Sequence, residues 1–374
     1  MTYIHSLLDR KKQNQARQYE KESRILGLGA LLLSLGSVLA FHFSGLSLWL
    51  SRLFWGHSVI WTYLAYAVLF QTFLFILGFP LSFYRGCAHE HRWNFSNQTK
   101  KSWLREQVKS FLAGLLIYSI LLCLLFWIMA LYPQSWWWIA GLATALISVL
   151  FATLSPVVIL PLFNTYTRIE KQELTDSLEK ILRGGGLKSS GFFRMDMSRQ
   201  TKKANAFLTG LGRTRRIVLA DNLLEHMSVP EIESIIAHEV GHFKHKHIWK
   251  QIGAGTIHQI LVFFLVDILL RSLFPVFFSS ARTNLSLFPF FIIFMGGISA
   301  FLFSPLSHCL SRHFERQADR YALHSIAEPQ AFLTALAGLA DRNLSNAYPE
   351  WWMKLLFYSH PPIGERLRLA EKTL

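Results

Sequence analysis

Six long apolar runs, at about residues 26 to 50, 60 to 83, 110 to 132, 136 to 160, 254 to 277 and 287 to 309, limit what this 374-residue chain can fold into. At 1.5 Å per residue each can cross a hydrocarbon core of about 30 Å, where every backbone group must be satisfied inside a helix. Only 16% of the residues are charged and the mean hydropathy is +0.29, because the apolar residues are gathered into runs rather than spaced along amphipathic faces. The expected fold class is therefore a mostly α, polytopic membrane protein with about six transmembrane helices. The first run follows a charged stretch of about 25 residues and is longer than the apolar core of a signal peptide, so it is expected to remain as an anchor.

Basic residues set the orientation. Arg10, Lys11, Lys12, Arg17, Lys21 and Arg24 precede the first run, and Arg85, Arg92, Lys100, Lys101, Arg105 and Lys109 separate the second from the third; the opposite loops hold Arg52, none, and Arg282. Both termini are expected in the cytoplasm. The expected organisation is then a basic N-terminal segment (1–25), four spans with a cytoplasmic loop near 84–109 (26–160), a cytoplasmic catalytic block (161–253), two further spans (254–309) and a cytoplasmic C-terminal segment (310–374).

The formal net charge of +15 does not call for nucleic acid, because the cations cluster beside apolar spans, where anionic lipid head groups lie. Membrane lipid is the expected partner instead. Cys87, Cys123 and Cys309 are isolated, which argues for neither a disulfide framework nor a thiolate metal site. Trp136, Trp137 and Trp138 open the fourth run and are expected to form an aromatic belt at the outer face.

The chemistry is concentrated in His238-Glu239-Val240-Gly241-His242. On a helix, histidines four apart share one face, the spacing a zinc ion needs, and Glu239 is placed to take a proton from the attacking water, which is how this motif hydrolyses peptide bonds. Ser228-Val229-Pro230-Glu231 upstream has the form of a capping box with proline at a helix start. His245 and His247 are expected to extend the same helix, solvated or supporting the site. A third ligand is required, a His, Asp or Glu from a neighbouring helix. In Ser311-Arg312-His313-Phe314-Glu315-Arg316-Gln317-Ala318-Asp319, two carboxylates stand four apart after the sixth run, so one can bind metal while the other supports a ligand.

Within the block, 165 to 182 has a helical pattern that Gly184-Gly185-Gly186 ends; no Lys-Ser/Thr follows, so the glycines are not a phosphate loop. Alternating stretches at 191 to 197 and 204 to 220 suggest a small sheet, with a hairpin around Gly210-Leu211-Gly212-Arg213.

These motifs together resemble the type I CAAX prenyl protease family of membrane zinc endopeptidases, which combines HExxH with a downstream glutamate in an SRxxExxAD setting. Further similar stretches are Phe95-Ser96-Asn97-Gln98-Thr99 with Arg105-Glu106-Gln107-Val108-Lys109, Ala204-Asn205-Ala206-Phe207-Leu208-Thr209-Gly210 with Ile217-Val218-Leu219, and Ser359-His360-Pro361-Pro362. The resemblance implies that His238, His242 and Glu315 bind one zinc ion per chain, that Glu239 is general base and then acid, and that Asp319 orients a histidine. It further implies that Asn205 holds substrate backbone and that His360 both binds substrate and stabilises the oxyanion. Spans enclosing a chamber, a zincin-like α+β catalytic block, and protein or peptide substrates that are lipidated at the C-terminus come with it. Eukaryotic members carry an extra N-terminal span; six spans imply a prokaryotic-type member in a bacterial inner membrane, with the endoplasmic reticulum membrane as the alternative. The competing functions are a quality-control protease of the heat-shock type and a catalytically silent scaffold. A site-2-type intramembrane protease would place HExxH inside an apolar run, whereas here lysines and further histidines follow it.

Overall fold

The computed structural model describes residues 7–53, 58–188, 190–279 and 285–373. Arg282 of the orientation count lies outside them. Six helices are long and apolar enough to cross a membrane. The first, α1 (Arg10–Phe43), is capped by Asp9, whose carboxylate accepts from the Lys11 and Lys12 amides at 2.7 and 3.2 Å. Its 34 residues reach about 51 Å. That exceeds a bilayer core, so the basic segment before residue 25 is helical too and continues the span outward. A short helix, α2 (Leu46–Leu53), leads to α3 (Val59–Phe83), which runs through a π turn (Tyr84–His89) to Arg92. Next come α4 (Lys100–Leu131) and α5 (Trp136–Leu154), the latter widening into a π turn at Ser155–Ile159 that contains Pro156.

The spans pack through aromatic rings, including Phe41, Tyr66, Phe70, Phe126 and Phe288. Trp136 corrects the belt expectation. It is 0% exposed, and its indole N–H donates to Asp267 at 2.6 Å. Asp267 also accepts from Arg271 Nε at 2.8 Å, and the Arg271 guanidinium reaches the Pro133 carbonyl. In hydrocarbon an unpaired carboxylate is costly, and this one acquires two donors, one from its own helix and one from α5. Trp138, 43% exposed, keeps an outward position. Gln71 donates to Ser119 Oγ at 3.3 Å and, with Thr144, is a polar exception on the wall of an apolar cavity of about 330 Å³ among the spans.

Beyond the fourth span the chain forms a four-stranded sheet, β1 (Tyr166–Arg168), β2 (Phe192–Met195), β3 (Ala206–Thr209) and β4 (Arg216–Ala220), in the order β1-β2-β4-β3. β1 corrects the reading of 165 to 182 as helix throughout. Aromatic and β-branched Tyr166 and Thr167 pair antiparallel with β2, and α6 (Gln172–Gly184) begins later, burying Leu174, Leu178 and Leu182 against the sheet. Gly186, at φ +71°, closes α6: the Leu187 amide bonds Leu182 O and the Gly186 amide bonds Arg183 O, both at 2.9 Å. β3 and β4 form the antiparallel hairpin, with Gly210 at φ +89° and so close to Thr214 that a Cβ would lie 2.5 Å from its carbonyl oxygen. β3 is left as an edge strand.

Among the described residues the longer helices that follow are α7 (Val229–Lys244), α8 (His247–Leu273, the fifth span), α9 (Phe288–Ile298), which passes through a π turn into α10 (Ser304–Ser325) as the sixth, then α11 (Pro329–Arg342), α12 (Trp351–Phe357) and α13 (Ile363–Glu371).

Candidate active site

Helix α7 starts where the sequence pattern places it, with Glu231 Oε2 accepting from both the amide and the hydroxyl of Ser228 at 2.9 Å. It crosses α10 at near backbone contact: a Cβ on Gly241 would lie 2.9 Å from the Ala318 Cα, and Ala318 is itself fully buried. Two small residues at the crossing let side chains on either side of it meet. Glu315 and Asp319, a turn apart on α10, therefore face His238 and His242 on α7.

His238 Nε2 and His242 Nε2 are 3.1 Å apart, and each lies 3.3 Å from one oxygen of Glu315. Glu315 Oε2 is buried and makes no well-directed hydrogen bond, although His360 Nδ1 is 2.9 Å away and His238 Nε2 is 3.3 Å away. Donor atoms that converge without pairing suit a metal. A tetrahedral ion with bonds of about 2.0–2.2 Å spaces its ligand atoms about 3.3–3.5 Å apart, close to what these three groups present.

Behind these three side chains, Asp319 is 0% exposed and accepts from His238 Nδ1 at 2.9 Å. Arg366 on α13 grips the same carboxylate in a fork, Nε to Oδ2 at 2.9 Å and an NH2 to Oδ1 at 2.6 Å. Burial pushes the His238 imidazole down, but Asp319 and Glu315 outweigh it and hold its proton up to about 9. A metal taking His238 displaces that proton.

Arg366 was not legible as a site residue. Its signal was slight: it lies four residues past Pro362, beside the buried positions Gly364, Leu367 and Ala370 of a short amphipathic helix. His247 supports the site as one of the two expected readings has it, but not as part of the HExxH helix. Lys246 adopts φ +56°, which breaks α7 from α8, so His245 and His247 do not extend the HExxH helix. His247 is 1% exposed, with Nδ1 3.0 Å from His242 Nδ1 and Nε2 2.9 Å from Gln317 Oε1.

A cavity of about 270 Å³ brings Asn205 and His360 together with the residues already described. Asn205, His238, Glu239, Glu315, His360 and Arg366 line it, opposite an apolar wall of Phe332, Leu336 and Leu339 from α11. Glu239 Oε2 accepts from the Leu208 amide on β3 at 3.2 Å. The Asn205 carbonyl accepts from the Ala220 amide, so Asn205 and Phe207 bond towards β4 while Ala206 and Leu208 face the open edge. His360, 63% exposed, sits on the loop before α13.

Residues 168–374 match the family model described as peptidase family M48, and residues 2–165 match the one described as CAAX prenyl protease N-terminal, five membrane helices. The chain belongs to peptidase family M48. CAAX prenyl protease 1 of Saccharomyces cerevisiae is 30% identical over 311 residues, covering 78% of this chain and 68% of that protein. The uncharacterized metalloprotease YhfN of Bacillus subtilis is 29% identical, covering 75% and 66%, and the human CAAX prenyl protease 1 homolog is 28% identical, covering 83% and 74%. The matches thus span about two thirds to three quarters of the relatives' own length. The crystal structure of S. mikatae Ste24p shares the fold at a TM-score of 0.86 and 24% identity, covering 99% of this chain and 91% of that one. This M48 chain is an integral, multi-pass membrane metalloendopeptidase resembling type I CAAX prenyl proteases. Where the N-terminal family description counts five membrane helices, four long apolar helices lie before residue 165 among the described residues; α2, at eight residues, is about 12 Å long and too short to cross.

Proposed function

We propose that His238, His242 and Glu315 hold one zinc ion per chain and that Glu239 is the general base and then the general acid of peptide hydrolysis. The observation that carries this reading is the cavity that sets His238, Glu239 and Glu315 beside Ala206 of the edge strand β3, with the His242 imidazole converging on His238 and Glu315 from the same helix face. Zinc, when bound, supplies Lewis acidity, polarising the scissile carbonyl and acidifying water. Glu239, held in place by the Leu208 amide, takes the proton of the attacking water and returns it to the leaving amine. Asp319 accepts from His238 Nδ1 and so turns Nε2 towards the other ligands, while Arg366 keeps the buried carboxylate ionised. An extended substrate laid along β3 gains backbone hydrogen bonds from Ala206 and is held by the Asn205 amide. His360, whose Nδ1 lies 2.9 Å from Glu315 Oε2 on the wall of the same cavity, is the imidazole whose N–H meets the oxygen that becomes negative in the transition state.

Replacing His360 by Ala is expected to lower turnover about a hundredfold or more with metal content unchanged, by analogy with lost oxyanion donors. Asn205→Ala raises KM as well, since a backbone-holding amide acts in both ground and transition states. Because His360 Nδ1 also touches Glu315, metal analysis of His360→Ala is the deciding measurement; zinc loss would make it a support of the ligand, and full turnover would leave it an ordinary loop residue.

The substrates we infer are proteins held at the membrane and cleaved near a lipid-bearing C-terminus, a reading drawn from the CAAX prenyl protease names of the yeast and human relatives. Assay of the purified protein on peptides ending in Cys-aliphatic-aliphatic-X, with and without an isoprenyl group on the cysteine, tests it. The isoprenyl group is expected to raise kcat/KM at least about tenfold. Equal rates would move the function to clearance of damaged membrane proteins.

The twelve basic residues before the first span and between the second and third support a cytoplasmic location for the block and both termini, and the six spans support a bacterial inner membrane as the setting. In a background without the native cysteines, an impermeant thiol reagent added outside should label a Ser135→Cys variant and miss Ser190→Cys. The companion position Ser280 lies outside the described residues. External labelling of Ser190→Cys would invert the orientation.

A further inference from the structure

A third cavity, of about 430 Å³, lies away from the catalytic one, between the block-side ends of α1, α3 and α4. The chain widens here: the π turn Tyr84–His89 forms part of its wall, and Gly86 is pressed so close to the Trp103 indole that a Cβ would meet Nε1 at 2.9 Å. Its lining is rich in donors that lack acceptors. Among the described residues, the side chains of Arg85, Trp103, Gln107, Ser23 and Ser82 make no hydrogen bond or ion pair. The one acid on the wall, Glu90, is already taken by Tyr19 at 2.6 Å and Lys203 at 2.9 Å. His89, also on the wall, is buried with Nε2 3.3 Å from Glu22, outside the lining. The cavity thus offers a free guanidinium and an indole N–H with no free carboxylate to answer them.

Arg85 and Ser82 also border a slot of about 190 Å³ that runs from this cavity along the membrane-spanning parts of α1 and α3, between Ala30, Leu33, Leu74, Gly78 and Leu81. From Arg85 to Leu74 is about 16 Å of helix. The slot wall also carries Ser34 and Ser37, the Ser37 hydroxyl already donating to Leu33 O at 2.7 Å, and a cationic head site opening into a mainly apolar slot of that length, at the end of the spans, matches one kind of molecule. We propose that it binds an anionic phospholipid, with the phosphodiester accepting from Arg85 and the Trp103 indole and an acyl chain lying in the slot beside Gly78. The uncharged serines and Gln107 complete the hydrogen bonds to the head group.

Native mass spectrometry of the purified full-length protein, released from bilayer discs of equal phosphatidylglycerol and phosphatidylcholine, tests this. Phosphatidylglycerol should be retained about tenfold over phosphatidylcholine, because both offer a phosphodiester to Arg85 but the choline cation of phosphatidylcholine offsets that attraction beside an unpaired guanidinium. R85Q should abolish the preference and R85K keep most of it. G78L, at a position where a Cβ meets nothing within 4 Å, should fill the slot and lower retention of both lipids without touching the charge. Metal content and melting temperature report folding, and if R85Q fails there, G78L decides. Equal retention of the two lipids, or unchanged retention in G78L, overturns the proposal. So does displacement of the lipid by millimolar glycerophosphate, which would make the phosphate alone the ligand.

Discussion

Glu239→Gln is expected to abolish hydrolysis while leaving metal content at the wild-type level. Gln keeps the volume of Glu and an oxygen able to accept the Leu208 amide, so the edge of β3 and the shape of the cavity persist. What disappears is the carboxylate that takes a proton from water and later gives it to the leaving amine. General acid-base groups contribute about 10²- to 10⁴-fold each, and one residue serving both steps belongs at the upper end. A fall of at least about a thousandfold in kcat, with KM little changed, is the expected result. Metal analysis beside the rate separates this from a ligand defect. Appreciable residual peptidase activity would move the base to another residue.

His242→Ala should fail in the opposite way, losing zinc from about one per chain to less than about a tenth while the protein stays folded. Removing a group that merely orients a ligand costs about 10- to 100-fold in affinity, and removing a ligand costs more. The helix should survive, because α7 is held by Ile236, Ala237, Val240 and the contact of Gly241 with Ala318, whereas the His242 ring is half-buried at the rim. The buried His247 loses its Nδ1 partner, a cost of about 1–3 kcal/mol. Added zinc should raise the melting temperature of the wild type and leave the variant unmoved. Full zinc retention in His242→Ala would refute the assignment.

The spans and the HExxH helix could be read from the chain because both are local: a run of apolar residues must become a helix in lipid, and an i, i+4 pair shares a face wherever its helix packs. Asn205 and His360 were legible through motif resemblance alone, and the cavity that joins them to Glu239 comes from folding. The features missed depend on a distant partner. Trp136 has the composition of a belt residue, and only Asp267, from another helix, draws it inside. Three residues of β1 carry too little pattern to compete with the helix that follows, and their pairing with β2 decides them. Arg366 is one arginine among many until Asp319 is seen buried without solvent. The break at Lys246 has no glycine or proline to announce it; a lysine in the left-handed region is set by the packing of α8 against α10 through His247 and Gln317.

The proposed third ligand stands on a helix that continues a membrane span. Glu315 stands on the rod that begins at Phe288 in the sixth span, 27 residues and about 40 Å away, and the other two ligands stand on α7, whose neighbour His247 heads the fifth span. Spanning helices answer a change of bilayer thickness by tilting. A tilt of about 3° about the far end of that rod carries Glu315 by about 2 Å, the length of a whole metal–ligand bond. A change of lipid thickness thus pulls on the rod that carries Glu315, while the near backbone contact of Gly241 with Ala318 and the Arg366 fork on Asp319 hold Glu315 to the two imidazoles, and the π turn at Ser299–Phe303 is the hinge available to absorb the strain.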